Sequence, residues 1–127
     1  MYKEDIMANH KNHTSSYIEV TGQDFAEKVL NAPQMVVVDF SSDTSDSCKV
    51  FDPEFEAISK EYQGRVTFAK LNVNGSEDLT SQWSVDGIPT LIFFKNGQEI
   101  NRIKGIVMRD KFRRQIEGAL LRAEQQL

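Results

Sequence analysis

The run MVVVDF, Met35 to Phe40, has no polar residue before its fifth position and no alternation of apolar with polar. A strand with one face in water alternates, whereas a continuous β-branched run reads as a strand buried on both faces. The elements around it must therefore cover it on both sides, and their order decides the fold.

Around that run, strand and helix patterns alternate along the chain. YIEV, from Tyr17, reads as a short strand. In the TGQD that follows, Thr21 and Asp24 have roughly the spacing of a capping box, opening a helix with the apolar face Phe25, Val29 and Leu30. Asn31, Ala32 and Pro33 end it. Cys48, Phe51, Phe55, Ile58 and Tyr62 recur at steps of three and four and make one helical stripe. Pro53 inside that stripe removes a backbone donor, so a kink is expected there.

RVTFAKLNV is the next strand and SEDLTSQW a short helix, leading through SVDGIP to the strand TLIFFK. Asn96-Gly97 then fits a two-residue type I′ turn, which makes QEINRIKG an antiparallel partner. A last helix carries Met108, Phe112, Ile116 and Leu120 on one face, with Lys111, Arg113 and Arg114 expected on a solvated one. Trp83 should pack with the helix before Pro89, and Phe51, Phe55, Phe93 and Phe94 in the core. The order β-α-β-α-β-α-β-β-α implies an α/β fold with a mixed central β-sheet and helices on both faces.

With 127 residues the chain fits one domain. Residues 1–16 read as a flexible polar leader, since their apolar residues are scattered, and residues 17–127 as the folded domain. The leader has no apolar core of a secretory signal, so a cytoplasmic location is expected. No run has the length of a membrane span. His10 and His13 are three residues apart but have no cysteine or carboxylate to complete a ligand set, so they read as solvated. A net charge of −4 without a basic stripe argues against nucleic-acid binding. The chain holds one cysteine, Cys48, so it can form no intramolecular disulfide.

VVVDF followed by a short loop and CK, then Pro53, VTFAKLNV, GIPTLIFFKNG and the Gly105 loop stand together in one order and spacing. In these motifs the chain resembles the thioredoxin family from about Tyr17 to Leu121. The resemblance implies a central strand ending at an active-site loop, a kinked second helix and a cis peptide bond before Pro89. It also implies that the backbone of Ile88 pairs with an extended substrate segment, a form of strand addition. Read without the resemblance, Pro89 is an ordinary trans proline entering an edge strand.

The family carries Cys-x-x-Cys in the loop, and here the stretch reads Ser45-Asp46-Ser47-Cys48. The first cysteine of the pattern falls on Ser45 and the second on Cys48. In the family the first thiolate, stabilised at a helix N-terminus, attacks a substrate disulfide, and the second thiol resolves the mixed disulfide. A serine hydroxyl is a far weaker nucleophile toward sulfur, so dithiol exchange is disabled in the chain as written. Cys48 alone is expected to be sluggish: it lies on the apolar face, and Asp43 and Asp46 disfavour its thiolate. Cluster ligation in related monothiol proteins uses the first cysteine, so neither metal nor other cofactor is expected.

The plain reading of TSDSC is a helix cap, with Ser45 accepting from backbone N–H groups and Asp46 at the positive helix end. Against a cap alone stand two residues that the resemblance assigns to the redox cycle. Asp39 matches the family's buried acid, which relays a proton to the resolving thiol, and Lys70 matches that acid's partner. The two could also persist as a simple buried ion pair. Substrate contacts are implied at Thr44, Asp46, Ser47, Ile88, Pro89 and Gly105. Ser41, Asp43 and Thr44 stand where the family has apolar docking residues, which makes the groove more polar.

Two functions follow. One is a thiol-disulfide oxidoreductase scaffold without its nucleophile, working with disulfide- or thiol-bearing protein substrates and a reductase of the thioredoxin-reductase type. The other is a non-catalytic module that holds peptides or proteins beside Pro89. Both are expected of a monomer.

Overall fold

A computed structural model describes residues 15–125. Residues 1–14 of the leader, with His10 and His13, lie outside the described residues. Ser16 hydrogen-bonds to Ser59, and Tyr17 packs tilted against Phe55 with ring centroids 5.5 Å apart.

The apolar run forms β2 (Val36–Ser41), all six residues buried. It lies between β3 (Thr67–Asn72), parallel to it, and β4 (Thr90–Lys95), antiparallel. β1 (Ile18–Val20) pairs parallel to β3, and β5 (Gln98–Lys104) antiparallel to β4. The five-stranded order is β1-β3-β2-β4-β5. Side chains alternate across the pleat, so Val37 meets one core and Val36, Val38 and Phe40 the other.

Helices α1 (Asp46–Glu61) and α3 (Arg109–Gln125) cover the first core through Phe51, Phe55, Ile58, Phe112 and Ile116. The second core is covered by Phe25, Val29 and the short helix α2 (Glu77–Gln82), with Trp83 at its end stacking edge-on against Phe94 at 4.9 Å. Here the expected first helix is a single π-helical turn, Ala26–Leu30. Half of the expected capping box forms: the Asp24 carboxylate accepts from the Thr21 N–H at 2.7 Å, while the Thr21 hydroxyl accepts from Gln23 instead.

Helix α1 runs unbroken through Pro53, whose ring is exposed. The hairpin is formed by Asn96 at φ 54° and Gly97 at φ 78°, both positive as a type I′ turn requires. Gly97 also lies under the Leu30 carbonyl, which a Cβ would approach to 3.4 Å.

The final helix corrects the expected stripe. Met108 precedes α3 and is 60% exposed; Phe112 and Ile116 are buried and Leu120 packs half-buried against the same core, with Ala119 and Ala123 joining the buried face. Small alanines let the helix approach the sheet closely, and a hydrophobicity pattern ranks them below methionine and leucine. Nor is Arg113 free in solvent, since its guanidinium spans Glu61 at 2.7 Å and Asp110 at 2.9 Å.

Phe112 sits between Phe51 and Phe68, ring centroids 5.8 and 6.3 Å away. Phe112→Ala is expected to cost about 3–5 kcal/mol in urea unfolding. Met108→Ala should stay within about 0.5 kcal/mol, reversing what the sequence stripe alone would rank.

Candidate functional site

The sheet register brings distant segments to one edge. Phe40 pairs with Thr90 and Thr90 with Lys104, so the chain leaving β2, the chain entering β4 and the chain leaving β5 meet there. That edge carries the loop Ser42–Ser45, the start of α1, Ile88-Pro89 and Gly105.

Ser42 organises the loop. It is buried, and its hydroxyl bonds the Thr44 hydroxyl at 2.9 Å, the Thr44 N–H at 3.2 Å and the Asn74 side-chain amide at 2.9 Å. Ser45 follows as the N-cap of α1, in extended conformation, and its hydroxyl accepts from the Cys48 N–H at 3.2 Å. One of the helix's unpaired donors is thereby satisfied. Asp46 and Ser47 are exposed on the first turn, while Cys48 points inward and is 2% exposed.

Asp39 stands two residues after Val37 along β2 and so on the same side of the pleat, the face that α1 covers. It is fully buried, and neither oxygen has a hydrogen-bond partner among the described residues. Burial pushes this carboxyl up to about 7, with Asp52 adding to the rise and Lys70 opposing it. The expected Asp39–Lys70 ion pair is not the contact formed. Lys70 is the register neighbour of Asp39 on β3, yet its ammonium lies 2.8 Å from Asp52 Oδ1 and 5.5 Å from the centre of the Tyr17 ring. A half-exposed carboxylate holds a charge at less cost than a buried one, so the long flexible lysine turns outward to it.

Lys70, Asp52 and Tyr17 line an open crevice of about 350 Å³ at the carboxyl ends of β1, β3 and β2, with Ser41, Asn72 and Asn74 beside them. Asp52 escaped the sequence reading. Its signal was there, since it stands four residues after Cys48 and so on the same face of α1.

The Ile88–Pro89 bond is cis, and the Gly105 N–H donates to the Pro89 carbonyl at 2.8 Å, with Gly105 at φ 88°. Pro89 is buried and Ile88 half-buried. Among the described residues neither backbone group of Ile88 finds a hydrogen-bond partner. Ile106, 41% exposed, follows Gly105 directly, and Met108, 60% exposed, comes after the buried Val107. Ser41, expected on the groove surface, is instead 4% exposed at the end of β2, where its carbonyl accepts from Val73. The polar rim is therefore Asp43, Thr44, Asp46 and Ser47, all exposed. Among the described residues no group of three His, Cys, Asp or Glu is placed to hold a metal ion, and no helix is long and apolar enough to cross a membrane.

Residues 16–118 match the family model described as Thioredoxin. The chain is similar to a protein named Thioredoxin from Buchnera aphidicola subsp. Acyrthosiphon pisum (strain APS), 38% identical over 71% of this chain and 83% of that protein. It is similar to Probable thioredoxin-2 of Caenorhabditis elegans, 31% identical over 77% of this chain and 68% of that protein. A third relative is Thioredoxin, mitochondrial, of Bos taurus, 32% identical over 71% of this chain and 54% of that longer protein.

The Asp39 carboxyl holds its proton in the native state to about 7, whereas an unfolded chain releases it near 3.8. The native state thus binds the extra proton between these values, and stability falls as pH rises through the window. Between pH 5 and pH 8 the protein should lose about 2–3 kcal/mol, and Asp39→Asn should flatten that slope in urea titrations. Ser45→Ala should cost about 1 kcal/mol through loss of the cap, with Ser45→Asp retaining most of it in the same assay.

Proposed function

The chain belongs to the thioredoxin family, and on that footing we propose that it is a thiol-disulfide oxidoreductase scaffold whose attacking sulfur is replaced by Ser45. One observation carries this reading: the hydroxyl at the nucleophile's position caps α1 by accepting from Cys48, and the one thiol of the chain is 2% exposed beneath it. Attack on a disulfide needs an exposed thiolate in line with the sulfur–sulfur bond. Ser45 supplies no sulfur, and Cys48 has no open path to a substrate.

The rest of the redox apparatus is retained in this reading. Asp39 is a buried acid that gives up its proton near neutrality, the property a proton relay to a resolving thiol requires. Lys70 stands beside it in register and carries the neighbouring positive charge. Thr44, Asp46, Ser47, Ile88, Pro89 and Gly105 form the docking edge for disulfide- or thiol-bearing proteins, with a reductase of the family's type as the partner that would recharge a complete site.

A second reading, a binding module without turnover, is favoured by the unpaired backbone of Ile88 beside exposed Ile106 and Met108. An extended peptide can pair with that backbone and cover those side chains.

Insulin reduction driven by dithiothreitol separates the two. The chain as written should run at the uncatalysed rate, and Ser45→Cys should give turnover. Catalysis by the unmodified chain would overturn the first reading. A silent Ser45→Cys variant that keeps its native circular dichroism would transfer the assignment to the binding module.

A further inference from the structure

Two carboxylates compete for one ammonium between β2, β3 and α1. Asp39 is buried with no partner, and its register neighbour Lys70 is bonded to Asp52 at 2.8 Å. The side chain of Lys70 is 20% exposed and that of Asp52 is 42% exposed, so the bonded pair stands at the crevice rather than in the core. The titratable and charged groups on the elements packed against Asp39 are Lys70 from β3, Asp52 and the buried Cys48 from α1, and the Tyr17 phenol whose ring lies under the ammonium. Its β4 neighbour is the apolar Leu91.

We propose that Asp52 is a positioning residue: it holds the Lys70 ammonium at the crevice while Asp39 is neutral, and yields it to Asp39 when that carboxyl ionises. Two arrangements result. In one, Asp39 keeps its proton and Lys70 bonds Asp52. In the other, Asp39 has released its proton to crevice water, Lys70 has swung to the buried carboxylate, and Asp52 is left to solvent. The second is reachable because a charge attracts more strongly in the interior than at a hydrated rim, and because a lysine stem turns freely. Asp52 thereby sets how readily Asp39 gives up its proton, by competing for Lys70. The device goes beyond the reading proposed above and stands whether or not a disulfide is turned over.

The test is a carbon-13 carboxyl NMR titration of Asp39 in the full chain, read in the wild type, Asp52→Asn, Lys70→Gln and the double variant. Asp52→Asn should strengthen the acidity of Asp39 by about tenfold or more, since Lys70 is released to it. Lys70→Gln should weaken it, and adding Asp52→Asn in that background should change it by less than about threefold. Asp52→Glu, which can still hold the ammonium, should return the midpoint close to that of the wild type. An unmoved midpoint in Asp52→Asn overturns the proposal, because Asp52 is then only a surface partner. An equal shift with and without Lys70 also overturns it, because Asp52 then acts by its own charge. Asp52 is half-exposed and its asparagine keeps the same shape, so that variant should fold; should Lys70→Gln fail to fold, Lys70→Met, which also removes the ammonium, takes its place in the same comparison.

Discussion

A strand with no face in water is the constraint on which this structure rests. β2 has six buried residues, so it needs hydrogen-bonded neighbours on both edges and a packed layer on both faces. β3 and β4 supply the edges, α1 and α3 one layer, and Phe25, Val29 and Trp83 much of the other. Any polar atom on β2 is then isolated from solvent by construction. Besides Ser41 at its end, β2 carries the Asp39 carboxyl, and the chemistry of the site begins from the cost of keeping that group there.

Everything polar around Asp39 can be understood as a response to that cost. The carboxyl keeps its proton to near neutral pH because burial penalises its charged form, and no donor reaches it to offset that. The neighbouring lysine turns toward Asp52 on the helix, where a charge keeps some water. The loop after β2 satisfies itself through Ser42, and α1 begins on the Ser45 hydroxyl. Ser45 thus takes part in helix stability at the position where the family uses a sulfur. In the function proposed for the chain, that exchange leaves the scaffold intact and removes the attacking atom.

Much of the fold was legible because periodicity records burial. The unbroken run of β2, the stripe from Cys48 to Ile58 and the Asn96-Gly97 turn each state a local geometry that the tertiary structure keeps. The reading failed where burial depends on approach distance or on choice among partners. Met108 continues the apolar period but lies before the helix, and Ala119 and Ala123 take the buried places. Ser41 reads as a loop residue yet is enclosed at the strand end. Lys70 has two acids within reach, and only the relative exposure of Asp39 and Asp52 decides between them. No one-dimensional pattern holds that comparison, although the four-residue step from Cys48 to Asp52 marks where to look.

The lone thiol beneath the Ser45 cap has an electrical consequence. Proteins with paired cysteines at such a position alternate between two covalent states, and their shape and stability follow the surrounding reduction potential. This chain cannot close a bond within itself, and its sulfur is sealed under the first turn of α1. The edge around Pro89, the proposed docking surface, is therefore the same surface in oxidising and in reducing surroundings. A protein docked there, as proposed, would be held with an affinity decoupled from redox poise.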